Sequence, residues 1–315
     1  MIRYSLNMQV PVSRFPFSHE DELIFLGSCF SEHISDRLSE LFWKVQAMPN
    51  GIVFNPVSLA DPFVRLAEHE DYTDEDLIFY QGLWHGKYHH GSFSEINPQD
   101  ALRKMNHHLH EFRRALKQAS HIFITFGTAY AYRYKPSGDT VANCHKIPQD
   151  QFEKYLLDSA GIVEIWSEVL SRLNQLYPDL KVVFTVSPVK HLRDGVVENT
   201  LSKSILHTSV HALCNKFEFA EYFPSYELIT DDLRDYRFYE SDGAHPNHLA
   251  IDYVMDHFMA CYLDDPGKQY LKDVREYQNM SRHRILREDA EETRKFLNQL
   301  DQLREKINRL YGKSL

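Results

Sequence analysis

Short apolar runs alternate with amphipathic segments along most of the chain, and this alternation strongly limits the folds open to it. Five runs have the length and composition of strands, at residues 23–26, 51–54, 121–127, 181–187 and 217–222. Segments between them carry apolar residues at helical spacing, as at 102–116. Short apolar strands separated by helices are typical of a parallel sheet with helices on both faces. We therefore predict an α/β fold, a three-layer αβα sandwich with five parallel strands in the order 2-1-3-4-5.

Charge and composition exclude several other classes of protein. The 315 residues carry a formal net charge of −10, which argues against a nucleic-acid partner, because such binding needs a clustered basic surface. No apolar run approaches the roughly 20 residues that span a bilayer, and residues 1–15 lack the apolar core of a signal peptide. The four cysteines are scattered without Cys-x-x-Cys spacing, which indicates reduced thiols. We therefore expect a globular, cytoplasmic protein with no membrane partner.

The composition changes after Pro266-Gly267. Residues 268–315 carry 12 Lys and Arg against 8 Asp and Glu, a balance of +4, so the first 267 residues carry −14. We predict an αβα domain over 1–267 and a helical extension over 268–315. The extension should contain a helix at 287–311 with a buried apolar face made of Phe296, Leu300, Leu303, Ile307 and Leu310. Folding back onto the core is favoured over a seam between subunits, although a homo-oligomer formed through this helix stays open.

Ser28 is the first candidate for chemistry. It follows Gly27 at the point where the first strand turns into a helix, so backbone N–H groups and the helix dipole could stabilise an oxyanion beside it. Taken alone, a Gly-Ser pair at a strand end is more often a helix N-cap. Cys29 has the intrinsically better nucleophile, but a free cysteine is usually a buried small hydrophobe.

Asp242 and His245 are the second candidates, three residues apart on the loop that enters the last helix of the α/β region. At this spacing the carboxylate can reach imidazole Nδ1 and leave Nε2 free to accept a proton from a hydroxyl. An isolated Asp-x-x-His also occurs by chance as a solvated turn. Because this loop and Ser28 should both lie at the carboxyl edge of the sheet, a nucleophile, base and orienting group could assemble there.

Several blocks in a fixed order carry a resemblance that is more specific than any single motif. GSCFSEHI, TFGTAYAYR, VANCHK, TVSPVKHLRDGVVENTLSKSIL and SDGAHPNHLA resemble the GSCFA-domain family, a branch of the SGNH/GDSL hydrolase superfamily, from about residue 20 to residue 262. The family motif ends in Ala where this chain has Ser31. The resemblance implies an αβα sandwich, with Ser28 as nucleophile and Asp242 and His245 matching the last block.

The resemblance also implies an oxyanion hole of three donors. In SGNH enzymes these are the N–H of the nucleophilic serine, a Gly after the second strand, and an Asn in a Gly-x-Asn-Asp block. Here Ser28 supplies the first and Gly51 matches the second. The third block reads Gly127-Thr128-Ala129-Tyr130 and lacks the Asn. Asn143, on the following loop, could take its place, or Thr128 could donate, or Asn143 could be an ordinary loop residue.

The remaining histidines are weaker candidates. Imidazole is a common metal ligand, but His85, His89, His90 and His145 do not recur with a carboxylate or cysteine at firm ligand spacing, so no metal is expected. We assign His89 and His145 to the wall of a substrate pocket, together with Gly127 and Thr128.

Together these features predict a serine-dependent esterase or O-acyltransferase that uses a Ser-His-Asp mechanism and needs no cofactor. Its substrate would be an O-acyl ester, with acetyl favoured, of a sugar or glycan-like molecule; this part rests on analogy. The alternative from another class is a catalytically inactive module that binds such a ligand, and the missing third oxyanion donor favours it. A third, weaker alternative is a scaffold protein that dimerises through the C-terminal helix.

Overall fold

The structure, a computed structural model, describes residues 6–47, 49–283 and 291–312. Within these residues the chain forms ten strands and nine α-helices. In chain order they are β1 (Glu22–Gly27), α1 (Cys29–Glu40), β2 (Lys44–Ala47), α2 (Pro56–Glu68), β3 (Leu77–Tyr80), β4 (Leu83–Gly86), α3 (Pro98–Leu116), β5 (Ala119–Phe126), β6 (Tyr130–Tyr134), β7 (Thr140–Val141), β8 (Phe152–Leu156), α4 (Ser159–Leu176), β9 (Lys181–Val186), α5 (Val196–Lys216), β10 (Ala220–Tyr222), α6 (Ser225–Glu227), α7 (His248–Tyr262), α8 (Asp265–Ser281) and α9 (Glu291–Tyr311).

Five parallel strands form the central sheet, in the spatial order β2-β1-β5-β9-β10. This confirms the predicted α/β class and the five-stranded parallel sheet. Counted over all strands of the chain the order is 2-1-5-9-10, which differs from the predicted numbering, because five strands outside this sheet were not predicted. When only the strands of this sheet are counted in chain order, they run 2-1-3-4-5.

The second strand of the sheet was placed wrongly. It is β2, at Lys44–Ala47, and residues 51–54 form no strand. The edge position of β2 explains the error, because Lys44 and Gln46 are exposed and leave no continuous apolar run. The 51–54 segment instead crosses the strand ends, where Val53 N donates to Gly27 O at 3.0 Å and Phe54 O accepts from Gly127 N at 2.8 Å.

Two small antiparallel sheets are inserted between the elements of the sandwich. The hairpin β3–β4 pairs Phe79 with Trp84, and β6 lies between β7 and β8. The segment 84–95, which is rich in histidine and aromatic residues, begins in β4. The sheet of β6, β7 and β8 directly follows β5, so its chain leaves the central sheet at the carboxyl edge.

Alternate side chains of the strands enter two separate cores. On one face, Phe126 packs edge-on against Trp166 of α4, with ring centroids 5.1 Å apart, and helices α2 to α5 complete this layer. On the other face, Phe25 stacks on Phe123 at 4.6 Å, and Phe123 contacts Phe258 of α7 at 5.1 Å. Helices α1, α7 and α8 cover this second face, so the sheet is the middle of three layers.

The C-terminal helices pack onto the second core. Tyr270 of α8 is fully buried, and the predicted boundary at residue 267 falls in the first turn of this helix. Helix α9 contacts α8 through its last turns, where Lys306 Nζ and Tyr311 OH lie 2.7 and 2.8 Å from Asp273 Oδ2. The start predicted at residue 287 lies outside the described residues.

The predicted apolar face of α9 is only partly correct. Ile307 is fully buried, Phe296, Leu300 and Leu303 are half-buried, and Leu310 is 54% exposed. Helix α9 therefore packs on the core mainly through Ile307, and the other residues of the predicted apolar face keep part of their surface in solvent.

This packing predicts that Ile307 and Leu310, two residues of equal size on α9, contribute very unequally to the free energy of unfolding. Ile307→Ala should lower the free energy of unfolding by about 2–4 kcal/mol, since it opens a cavity in the core. Leu310→Ala, the matched control, should change it by less than about 0.5 kcal/mol. Urea denaturation and hydrogen exchange of the α9 amides measure both. Equal effects of the two substitutions would show that α9 does not dock as described.

Candidate active site

Ser28 stands at the carboxyl end of β1, and Gly27 forces the turn that puts it there. Gly27 has φ +120°, and a Cβ at this position would lie 2.1 Å from Thr125 O of the adjacent strand, so only glycine fits. Ser28 then adopts extended geometry as the N-cap residue of α1, but its side chain makes no capping hydrogen bond. Its Oγ is buried and has no hydrogen-bond partner among the described residues. The ordinary capping role therefore does not account for Ser28.

Cys29 begins α1 and is half-buried. Burial raises the pKa of its thiol, and the Glu32 carboxylate acts in the same direction. The thiolate, which is the nucleophilic form, is therefore disfavoured at neutral pH.

Asp242 and His245 form the pair that their spacing predicts. His245 Nδ1 lies 2.6 Å from Asp242 Oδ2, while Asp242 Oδ1 accepts hydrogen bonds from the N–H groups of His245 and Ala244 at 3.0 and 2.8 Å. These two backbone donors and the imidazole hold the pKa of the Asp242 carboxyl well below its usual value. The carboxylate thus fixes the imidazole with Nε2 free, and the pair is about half exposed to solvent, at 47% for His245 and 48% for Asp242.

A cleft of about 480 Å³ lies beside His245 at the carboxyl edge of the sheet. It is lined by Phe54, Asn55, Thr128, Tyr130, Tyr132, Ala142, Val189, Lys190, His191, Leu192, Arg193, Asp194, Ala244 and His245. The loop after β9 is joined to the histidine loop by a hydrogen bond from Lys190 N to Ala244 O at 3.0 Å. Ser28 is not among the lining residues, and no hydrogen bond joins it to His245 in the described part of the chain.

Side chains of helix α5 form hydrogen bonds with backbone groups of the two loops that follow β5 and β9 and line the cleft. Lys203 Nζ donates to Gly127 O at 2.5 Å and to Ser187 O at 2.7 Å, and so ties the ends of β5 and β9 together. Ser202 Oγ accepts from Ala129 N at 2.8 Å, and Asn199 Oδ1 accepts from His191 N at 2.8 Å. One face of a single helix therefore sets the positions of the segments that follow two strands.

Lys203 is unusual because only 2% of its surface is exposed and both of its acceptors are neutral carbonyls. Burial lowers the pKa of its ammonium to about 7, and the Cys29 thiol opposes this only in part. Sequence reasoning missed this residue. Its burial could have been recognised, because Lys203 shares helical spacing with Leu206, Val210 and Leu213, all of which are fully buried.

Of the residues predicted to complete the oxyanion hole, Thr128 lines the cleft, whereas Gly51 and Asn143 do not. Gly51 has φ +73° and packs against His90, and it does not line the cleft. Asn143 also lies outside the cleft lining, and its Oδ1 accepts from His145 N at 2.8 Å in a local turn. The Gly127 and Thr128 N–H groups both donate to Phe54 O, although Thr128 itself lines the cleft.

Neither histidine assigned to the pocket wall lies there. His89 is fully buried between Tyr72 and Phe93, with ring centroids 4.6 and 4.8 Å away, so it is a core residue. The His145 ring stacks on that of His85, with centroids 4.5 Å apart, and its Nε2–H donates a hydrogen bond to Gly86 O at 3.0 Å. Neither residue is among those that line the cleft, and both are held instead by contacts in and around the β3–β4 hairpin.

Across residues 6–47, 49–283 and 291–312, no group of three His, Cys, Asp or Glu side chains has an arrangement that could hold a metal ion. Within the same residues, no helix combines the length and the apolar character that crossing a bilayer requires.

The fold and the site together define an αβα protein with a serine at the end of its first strand and an Asp–His pair just before helix α7. The model of the GSCFA family matches residues 22–258, three quarters of the chain. This chain belongs to the GSCFA family. No curated protein matches its sequence.

Solved structures of low sequence identity resemble the chain. An acetyl xylan esterase from the rumen bacterium Butyrivibrio proteoclasticus is 11% identical, with a TM-score of 0.41 over 79% of this chain and 64% of that protein. A lipase from a goat rumen metagenome is 9% identical, with a TM-score of 0.39 over 78% of this chain and 99% of the lipase. A family 3 carbohydrate esterase from Talaromyces cellulolyticus is 6% identical, with a TM-score of 0.36 over 81% of this chain and 99% of that chain.

The buried lysine predicts a particular dependence of stability on pH. Lys203 has a pKa of about 7 in the folded chain and an ordinary value near 10.4 in the unfolded chain. Between these values the unfolded chain binds a proton that the folded chain does not, so this group makes stability rise with pH. The free energy of unfolding of the wild type minus that of Lys203→Met should therefore grow by up to about 4 kcal/mol from pH 7 to pH 10.

Chemical denaturation at several pH values measures this difference. Lys117→Met removes an exposed lysine and serves as the control, for which the difference should stay constant across the same range. Parallel curves for the wild type and Lys203→Met would show that Lys203 titrates as an ordinary surface lysine.

Proposed function

We propose that this protein is a serine-dependent esterase or O-acyltransferase of the SGNH type, with Ser28 as nucleophile, His245 as general base and acid, and Asp242 as the group that orients the imidazole. The observation that carries the proposal is the bond between Asp242 Oδ2 and His245 Nδ1 at 2.6 Å, at the same edge of the sheet as a serine whose hydroxyl caps nothing. An oriented imidazole with a free Nε2 is what activation of a serine hydroxyl requires.

The proposed reaction has two steps. Ser28 Oγ attacks the ester carbonyl while His245 Nε2 accepts the hydroxyl proton, and the carbonyl oxygen becomes an oxyanion. Collapse expels the alcohol, which takes the proton from His245 and leaves an acyl-serine. Water or a sugar hydroxyl then attacks this ester, His245 accepts the proton of the attacking group, and Ser28 is released with its hydrogen restored. Hydrolysis and acyl transfer differ only in this second nucleophile.

The order of events implies a small opening at Ser28. The Ser28 hydroxyl is buried, whereas the Asp242–His245 pair is half exposed. Neighbouring residues must therefore move when substrate binds, so that His245 can contact Ser28. Catalytic hydrogen bonds are often unformed in the free enzyme and tighten only when substrate binds. The contact between Ser28 and His245 is therefore part of the proposal.

The cleft favours a sugar-like alcohol as the ester's leaving group. Tyr130, Tyr132 and Phe54 present aromatic rings to it, and such rings commonly pack against the apolar faces of ligands while hydroxyl groups bind the polar rim. Acetyl is the favoured acyl group. We further propose that the protein works in the cytoplasm without a cofactor.

Replacing the triad residues tests the mechanism. Ser28→Ala and His245→Ala should each lower kcat for an acetyl ester by at least about 10⁴-fold, and the double variant should fall little further, because both residues serve one step. Asp242→Asn should cost a comparable factor, since it stabilises the wrong tautomer of His245. The measurement is turnover of a panel of esters that differ in chain length and alcohol.

Covalent labelling by a fluorophosphonate provides a second test, because this reagent needs an activated serine. Wild type and the control Cys29→Ala should be labelled, and Ser28→Ala should not. Turnover that survives Ser28→Ala and disappears in Cys29→Ala would assign the nucleophile to the thiol. A wild type that is neither labelled nor active on any ester would favour the binding module instead.

A further inference from the structure

We propose that His191 is the third donor of the oxyanion hole, where its Nε2–H takes the place of the asparagine amide that this chain lacks. The inference rests on the proposed function, because an oxyanion forms only if Ser28 attacks an acyl group. It concerns a residue to which neither the family resemblance nor the sequence patterns assigned a role.

The fold holds His191 rigidly in the cleft. Its backbone N–H donates to Asn199 Oδ1 of α5 at 2.8 Å, and its ring meets Phe54 edge-on at 5.5 Å and 77°. Phe54 in turn is fixed by the Gly127 and Thr128 N–H groups that its carbonyl accepts. His191 lines the same cleft as His245 and Thr128, so it lies at the edge where the acyl group must bind.

His191 Nε2 is buried and has no hydrogen-bond partner among the described residues, as is true of Ser28 Oγ. Leaving a buried polar atom unpaired is costly, so such atoms are rare in folded proteins. Ser28 Oγ and His191 Nε2 are two of several such atoms in the described residues, and they belong to the proposed nucleophile and to a residue that lines the cleft. A bound acyl group would supply an acceptor for the imidazole N–H through its carbonyl oxygen, and its carbonyl carbon is the electrophile that Ser28 Oγ attacks.

The electrostatics of the cleft suit a neutral donor. Burial lowers the pKa of His191 to about 3, and the charges of Lys203 and His245 act in the same direction, while Asp194 opposes them. His191 therefore stays uncharged over the working range of an esterase and carries a single N–H. A neutral imidazole can polarise a carbonyl without first being deprotonated, and its hydrogen bond strengthens as the oxygen becomes negative.

The other candidates for the third donor are already engaged or lie elsewhere. The Thr128 N–H donates to Phe54 O, and Asn143 serves the turn before His145 outside the cleft lining. Among Thr128, Asn143 and His191, only His191 both lines the cleft and has a buried polar side-chain atom without a hydrogen-bond partner in the described residues.

Two substitutions separate the donor from the ring. His191→Phe keeps the aromatic contact with Phe54 but removes the N–H, and it should lower kcat about 10²–10³-fold while KM changes less than about threefold. His191→Gln restores a neutral N–H donor and should recover at least about tenfold of that loss. The exposed residue His107 offers a matched control, because His107→Phe should leave kcat unchanged.

The pH profile distinguishes a donor from a base. Because His191 remains neutral, His191→Phe should lower the kcat profile without changing its shape, and it should still be labelled by a fluorophosphonate, only more slowly. Melting temperatures of all variants within a few degrees of the wild type ensure that folding is not the cause.

Several outcomes would overturn the assignment. Full kcat in His191→Phe, a loss confined to KM, or no recovery in His191→Gln would each exclude an oxyanion donor while the Ser28 mechanism still stood. A fall to the activity of Ser28→Ala would make His191 the base instead. If the wild type turned over no ester, the proposed function would fail and this role of His191 with it.

Discussion

The hydrogen bonds from Lys203 Nζ to the carbonyls of Gly127 and Ser187 hold together the edge of the sheet on which the site depends. At the carboxyl end of a parallel strand the last carbonyls have lost their ladder partners, and when buried they need donors from elsewhere. A single ammonium group supplies two of them here. The segments that line the cleft, Thr128 to Tyr132 and Val189 to Asp194, begin one and two residues after these carbonyls.

An apolar residue could not replace this arrangement without loss, even though burying an ammonium group is expensive. It would leave two carbonyls unpaired, each at a cost of about 1–3 kcal/mol. The positive charge also affects its surroundings, because it helps to keep the His191 imidazole neutral and favours negative charge near the first turn of α1. The same side chain therefore connects the stability of the sheet edge with the electrostatics of the cleft.

Local patterns explain what could be predicted from the sequence. Ser28 at a strand-to-helix turn and the Asp242–His245 pair depend on neighbours within a few residues, and three of the five sheet strands, β1, β5 and β9, are buried and mainly apolar runs. The edge strand β2 was missed because its outward side chains are polar, and the 51–54 run was misread because a half-buried segment that crosses the strand ends can be as apolar as a strand.

What the sequence could not give depends on contacts between distant parts of the chain. The roles of Lys203 and His191 arise only when α5 packs under the ends of β5 and β9, and no local spacing encodes that. His89 and His145 were assigned to the pocket wall from the sequence, yet both are buried by contacts in and around the β3–β4 hairpin. The same pattern of histidines thus has a structural explanation once the tertiary contacts are known.

The Asp242–His245 pair differs from Ser28 and His191 in how its polar atoms are satisfied in the free protein. The Asp–His pair forms within one solvated turn and is complete before anything binds, since backbone N–H groups fix the carboxylate. Ser28 and His191 instead end in polar atoms that the fold buries and leaves unpaired. Protein interiors rarely retain such atoms, because an apolar residue of similar size would be cheaper. In the proposed mechanism a bound ester engages both residues, His191 as a donor to its carbonyl oxygen and Ser28 as the nucleophile, so substrate binding would give a use to polar atoms that the fold leaves unpaired.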